Sequence, residues 1–261
     1  MNTANPQTIS AAEVEGACSL SEVVDSQRKA LGGLISGTSV MGPRAVITNG
    51  ENAQFSYIAR ASSTAPTIVK FGSVTGSNSA KGLPVVQAYM AVMDSETGSL
   101  TYFVDGESVT RIRTTAASMV AAQELANKPD YITVIGSAPQ AIAHAKAALE
   151  LFKPTKLTIV VRSSDKGKSV KAEFADNLPV EISQDVESAV ATADLIFTCT
   201  NAMTPLFKGK LKPGTTCIAI GSFAPNREEI ATEVVVAADK VFADDSATTQ
   251  LQCGSIIPAL K

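Results

Sequence analysis

The hydrophobic pattern changes character partway along the chain. In the first half it opens on helical spacing: Ser10 stands before Ala11 to Glu15 as an N-cap, with Glu13 at the capping-box position. Leu20, Val23, Val24, Ala30 and Leu31 then recur with charges between them, and Gly32-Gly33 reads as the end of that second helix. After Gly42-Pro43 the period shortens. The runs Arg44 to Thr48, Phe55 to Ala59, Thr67 to Phe71 and Pro84 to Met93 predict strands, and Asp94 to Gly98 predicts a hairpin turn into Leu100 to Val104. A further helix is expected after Asp105-Gly106, capped by Ser108 and running to about Ala126. This half reads as helices with a largely antiparallel sheet.

The second half begins with a different pattern. Tyr131 to Ile135 is a β-branched run of the kind buried on both faces of a parallel sheet. Gly136 breaks it, Pro139 suits a first helical turn, Ala141 to Leu151 is rich in helix formers, and Leu157 to Val161 is apolar again. Strand, glycine turn, helix, strand is the opening unit of a dinucleotide-binding fold. Leu195 to Cys199 and Thr216 to Ile220 predict further strands, with Val234 to Val236 and Lys240 to Ala243 extending the series. The expected class is α/β. A Rossmann-type NAD(P)-binding domain over 127–250 follows an α+β domain over 1–126, and 251–261 form a tail.

Chemistry enters at the turns. Gly136, Ser137, Ala138, Gln140 and Ala141 fit the G-x-G-x-x-G/A fingerprint, except that Ala138 stands where a second glycine lets backbone approach phosphate. The N–H groups of such a helix N-terminus favour a pyrophosphate. The second strand ends in Arg162, Ser163 and Ser164, not in the Asp or Glu that would bond a ribose 2′-OH. A cation with two hydroxyls suits a 2′-phosphate, so the expected cofactor is NADPH (NADP). Thr200, Asn201, Gly221 and Ser222 follow later strands, at the carboxyl edge where ligands of open parallel sheets lie.

Three cationic positions stand out earlier. Lys70 interrupts an apolar run: an edge strand tolerates lysine there, whereas an inward-facing lysine would have a depressed pKa and could shuttle protons. Helical spacing puts Arg111 on a face with Thr114, Thr115 and Ser118, where it can sit in solvent. Arg113 shares the packing face of Ala116, Ala117 and Val120, where it needs an anionic partner, either a structural carboxylate or a ligand. His144, one turn after Gln140, reads as a structural histidine.

Composition narrows the classes. The chain has 261 residues and a net charge of −3, with no basic cluster interleaved with aromatics, so nucleic acid is not an expected partner. No apolar run approaches the ~20 residues of a membrane span, and the N-terminal stretch lacks the basic-then-apolar order of a signal peptide. Cys18, Cys199, Cys217 and Cys253 are widely spaced and there is one histidine, so no metal site is expected and the compartment reads as reducing, that is, cytoplasmic.

An ordered set of segments resembles the ornithine cyclodeaminase/mu-crystallin family over nearly the whole chain. They are Ile9 to Val14, Val69-Lys70 followed by Gly82 to Pro84, Asp94 to Gly98, Asp105-Gly106, Thr110 to Ala117, Gly136 to Ala141, Ala193-Asp194, Thr200, and Gly221 to Ile230. The T-x-x-R-T-x-A-A helix ahead of the glycine turn is the most specific. The resemblance implies a substrate-binding and dimerisation domain in front of the Rossmann domain, a homodimer, and a small imino or amino acid substrate. It makes Lys70 the active-site lysine and Arg44 and Arg113 the substrate-carboxylate arginines. Three departures accompany it. Phe223 replaces the aspartate with which cyclodeaminases act on the substrate amine, Ala138 replaces a glycine, and relatives continue past Lys261 through a segment that closes the nicotinamide end. A phenyl ring accepts no proton, so the expected activity is NADPH-dependent reduction of a cyclic imino acid (1-pyrroline-2-carboxylate or 1-piperideine-2-carboxylate). An ornithine cyclodeaminase-type lyase with bound NAD, or a non-catalytic NADP(H)- or small-ligand-binding protein, stand as the alternatives.

Overall fold

The computed structural model describes residues 5–50 and 52–260. It divides into two compact units, Met1–Ala116 and Ala117–Lys261; Lys261, the last residue of the expected tail, lies outside the described residues.

The first unit contains β1 (Gln7–Ile9), α1 (Ala11–Ala17), α2 (Leu20–Ser36), β2 (Val40–Met41), β3 (Ala45–Asn49), β4 (Asn52–Arg60), β5 (Thr67–Val74), β6 (Val86–Met93) and β7 (Leu100–Asp105). Ser10–Glu13 and Ser19–Glu22 are both complete capping boxes that start α1 and α2. Contrary to expectation, Gly32-Gly33 does not end α2. The helix continues to Ser36 and stops at Gly37, whose φ of 74° is the left-handed cap that glycine takes without strain. The strands form one sheet in the order β1-β7-β6-β5-β4-β2, with β3 also on β4. All its pairings are antiparallel except β1 with β7. Between β6 and β7 the Asp94 carboxylate takes the N–H of Thr97 at 2.8 Å and its hydroxyl at 2.7 Å, closing the predicted hairpin.

Lys70 is not on an edge: β5 pairs with β4 on one side and β6 on the other. Register places Tyr57 opposite Lys70 and Phe55 opposite Gly72, so these four residues share one face of the sheet. A Cβ on Gly72 would meet the Gln87 carbonyl at 2.2 Å and the Phe55 ring at 3.0 Å, which explains why this position carries no side chain.

Helix α3 (Gly106–Leu125) crosses the boundary between the two units. Its start is fixed by Asp105, not by Ser108. The Asp105 carboxylate accepts from the Ser108 N–H at 2.8 Å and from its hydroxyl at 2.6 Å. The helix pattern was also misleading for the arginines. Thr115, Ala116, Ser118 and Met119 are buried, Arg113 is exposed, and Arg111 is half-buried in an ion pair with Glu15. Small hydroxyl residues pack inward here because they satisfy themselves within the interior, as Ser118 does against His144.

In the second unit, β8 (Tyr131–Ile135), β9 (Lys156–Val160), β10 (Val180–Ser183), β11 (Leu195–Thr198) and β12 (Thr216–Ala219) form an all-parallel sheet ordered β10-β9-β8-β11-β12. This is the Rossmann arrangement, with β8 at the centre. The helices α4 (Pro139–Phe152), α5 (Ser164–Lys171) and α6 (Val186–Thr192) connect its strands, and α7 (Thr232–Val236) and α8 (Ser246–Gln252) follow. Two expected strands are absent: Val234 to Val236 lie in α7, and Lys240 to Ala243 have no regular structure. Val234 and Val235 lie against the Ile196–Phe207–Ile230 core, while Val236, Val241 and Phe242 are exposed. No helix among the described residues is long and apolar enough to cross a membrane.

Candidate functional site

The face of β5 that carries Lys70 gathers positive charge. The Lys70 ammonium donates to the Thr110 hydroxyl at 2.6 Å, and that hydroxyl donates in turn to the Gly106 carbonyl one turn back in α3. Thr110 is thereby locked as an acceptor toward the lysine. Lys70 Nζ lies 5.8 Å from the centre of the Phe55 ring, and the Arg44 guanidinium lies 6.0 Å from the same ring and 5.3 Å from that of Tyr57. Burial, then the charge of Arg113, then that of Arg44, push the Lys70 pKa down to about 8. Both arginine charges therefore act on Lys70. Such a cluster favours an anion, and its lysine is poised to exchange a proton near neutral pH. Pattern alone missed Thr110, Phe55 and Tyr57. The T-x-x-R spacing was the available signal for Thr110.

In the second unit, Gly136 has φ 140°, and a Cβ there would meet the Cys199 carbonyl at 2.6 Å and the Ala141 methyl at 3.1 Å. Only glycine fits this turn. Ala138 is the N-cap of α4 at φ −84°, ψ 168°, so replacing the usual glycine costs nothing in backbone strain; its methyl only takes up space. No side chain caps α4 and Pro139 occupies its first turn, which leaves that helix end suited to a phosphate oxygen. These features fit a dinucleotide. Arg162, Ser163 and Ser164 are exposed at the end of β9, where Ser163 also caps α5 by accepting from the Lys166 N–H at 3.4 Å.

The later turns are built differently from a plain loop. Thr200 gives both its N–H and its hydroxyl to Glu229 Oε1, each at 2.7 Å, and Gly221 gives its N–H to Oε2 at 2.6 Å. Ser222 is buried, its hydroxyl 2.7 Å from that of Ser255, while Asn201 is exposed. Sequence reasoning gave neither Glu229 nor Ser255 a role, because a single acid in a polar stretch looks like surface; the one available signal for Glu229 was its place in the Gly221 to Ile230 segment. His144 is fully buried as expected, with Nδ1 2.8 Å from the Gln140 carbonyl and Nε2 3.0 Å from the Ser118 hydroxyl, and burial lowers its pKa to about 4. Phe223 is exposed, with the Arg227 guanidinium 4.8 Å from its ring centre. No cluster of His, Cys, Asp or Glu among the described residues could hold a metal ion.

The model of the ornithine cyclodeaminase/mu-crystallin family matches residues 5–256. The Delta(1)-pyrroline-2-carboxylate reductase 1 of Burkholderia multivorans is 28% identical over 192 residues, which cover 74% of this chain and 62% of that protein. The Delta(1)-pyrroline-2-carboxylate/Delta(1)-piperideine-2-carboxylate reductase of Azospirillum brasilense is 28% identical over 191 residues, covering 73% and 61%. The chain thus spans about three-fifths of the length of these relatives. Among solved structures, the Thermococcus litoralis Delta(1)-pyrroline-2-carboxylate reductase in complex with NADH and L-proline superposes with a TM-score of 0.90 at 25% identity, over 97% of this chain and 80% of that one. An archaeal alanine dehydrogenase dimer with bound NAD gives 0.89 at 24% identity over 98% and 79%, a likeness of fold.

Proposed function

The chain belongs to the ornithine cyclodeaminase/mu-crystallin family, and on that premise we propose that it is an NADPH-dependent reductase of a cyclic imino acid, 1-pyrroline-2-carboxylate or 1-piperideine-2-carboxylate. The observation that carries this reading is the Lys70 ammonium, held by Thr110, its pKa lowered to about 8 by burial and then by the charges of Arg113 and Arg44. Arg113 and Arg44 bind the substrate carboxylate, which fixes the ring by charge-assisted hydrogen bonds. The bound carboxylate also offsets the repulsion on Lys70 and keeps it protonated. When present, the reduced nicotinamide supplies hydride to the imine carbon. As the C=N bond becomes C–N, its electron pair moves to the ring nitrogen, and Lys70 gives that nitrogen its proton.

Gly136, Ser137, Ala138, Gln140 and Ala141 would hold the pyrophosphate, and Arg162, Ser163 and Ser164 the 2′-phosphate. Thr200, Asn201, Gly221 and Ser222 would line the nicotinamide side. In this reading 1–126 carries substrate and 127–250 carries cofactor. Ile47, Ile58, Phe71, Tyr89 and Phe103 lie exposed on the sheet face opposite Lys70, an apolar surface that supports a homodimer. The four free thiols support a cytoplasmic setting.

The experiment is NADPH oxidation by the purified chain with each cyclic imine, beside an ammonia assay with ornithine and added NAD. Turnover of an imine without ammonia release is expected, because exposed Phe223, stacked by Arg227, offers no base. Steady ammonia release from ornithine would overturn the reductase reading in favour of a lyase.

A further inference from the structure

Glu229 is fully buried, yet its hydrogen-bond donors are neutral: the Thr198 hydroxyl at 2.8 Å, the Thr200 N–H and hydroxyl at 2.7 Å each, and the Gly221 N–H at 2.6 Å. Two donors reach each oxygen. A buried carboxylate is expensive unless its lone pairs are met in this way. The donors come from the ends of two neighbouring strands: Thr198 is the last residue of β11, Thr200 lies in the turn after it, and Gly221 lies in the turn after β12. At Gly221 the two turns touch, since a Cβ would stand 1.9 Å from the Thr200 carbonyl oxygen. Behind the carboxylate, the N–H groups of Glu229 and Ile230 both donate to the Ser255 hydroxyl at 3.1 Å, and the Gly254 N–H donates to the Ser222 carbonyl at 3.2 Å. The loop that delivers Glu229 is therefore itself fastened.

We propose that Glu229 is a positioning residue, clasping the turns after β11 and β12 into one rigid edge against which the nicotinamide half of the dinucleotide rests. The proposal builds on the dinucleotide-binding reading above. No other side chain does this work: glutamine has one acceptor oxygen, so its NH2 would face either the Thr200 or the Gly221 N–H and leave a buried donor unmet. Aspartate keeps the acceptors but is one methylene too short to reach both strands. The clasp holds two backbone N–H groups and two threonine hydroxyls, so Glu229 shapes the site without itself touching ligand.

The test compares Glu229→Gln with the unmutated chain in three measurements: NADPH affinity, imine turnover, and amide hydrogen exchange at residues 200–202 and 221–223 of the cofactor-free protein. The expected result is local acceleration of exchange at both turns together and NADPH binding weaker by on the order of tenfold. Exchange in the strands β5 and β6 should not change. If Glu229→Gln does not fold, Thr198→Val and Thr200→Val each remove one hydroxyl donor, and each should loosen both turns in smaller measure. A folded variant with NADPH affinity within about twofold of the original, or exchange that rises uniformly through the second unit, would overturn the clasp. An unmutated chain that binds NADPH but reduces no cyclic imine fails the proposed activity alone, and affinity and exchange still decide the clasp. A chain that binds neither NADPH nor NADH overturns both.

Discussion

Arg113→Ala tests the cationic cluster most directly, because it predicts two effects with one cause. The first is lost binding of the substrate carboxylate. A hydrogen bond to a charged group contributes about 1.5–3 kcal/mol, and Arg113 is exposed, so the lower end is the better guide. At about 1.4 kcal/mol per decade, kcat/KM should fall on the order of tenfold. The second effect falls on Lys70. Arg113 is the larger of the two neighbouring charges that depress its pKa to about 8, so removing it must move that pKa upward. The alkaline limb of the rate profile, where Lys70 loses the proton it donates, should shift to higher pH. Steady-state kinetics across pH, with NADPH affinity measured separately, reads both. An unchanged limb would show that Arg113 and Lys70 do not share a site. Equal losses in NADPH affinity and turnover would show that Arg113 serves the fold or the cofactor instead.

Other outcomes follow from the same geometry. In the original chain, kcat/KM should decline as pH rises through about 8, and Lys70→Ala should be slow and lack that limb. For stability the sign is set by proton binding: between about 8 and the ordinary 10.5 the unfolded chain holds a proton the native lysine has lost, so the Lys70 contribution becomes more favourable as pH rises and its cost is fully present below that window. Titrating NADPH and NADH should show tighter NADPH binding, with Arg162→Asp erasing or inverting the preference; equal affinities before mutation would refute the 2′-phosphate assignment. Gly136→Ala puts a methyl 2.6 Å from the Cys199 carbonyl at a φ of 140°, and should cost about 1–3 kcal/mol, read as a lower melting temperature together with weaker NADPH binding. An unchanged melting temperature would mean the turn relaxes freely.

The fold was largely legible because local signals and tertiary demands agree over most of the chain. The two-face-buried run at β8, Pro139 at the head of α4 and the Ser10–Glu13 box all announce themselves in a few residues. Where the reading failed, a local rule met a competing partner. Gly32-Gly33 has helix-breaking composition, but α2 carries through to a left-handed Gly37, and Gly33 lies so close to Ser39 that a Cβ would stand 2.2 Å from its hydroxyl. Val234 to Val236 have strand composition, but they form helix α7, from which Val234 and Val235 pack on the Ile196–Phe207–Ile230 cluster.

By itself the sequence determined the two opening helices, the antiparallel strands and hairpin of the first unit, the β8–α4–β9 unit with its glycine turn at Gly136, the parallel sheet of the second unit and, through resemblance, the family. Each depends on periodicity or on a residue whose backbone freedom is intrinsic. Only the tertiary structure decided that Lys70 lies in a central strand with Thr110 as its partner, 40 residues away, and that burial, with Arg113 and Arg44, depresses its pKa. It alone brought Glu229 between the ends of β11 and β12. These are contacts between segments distant in sequence, and their chemistry lies in burial and charge proximity, which no single segment of the chain encodes.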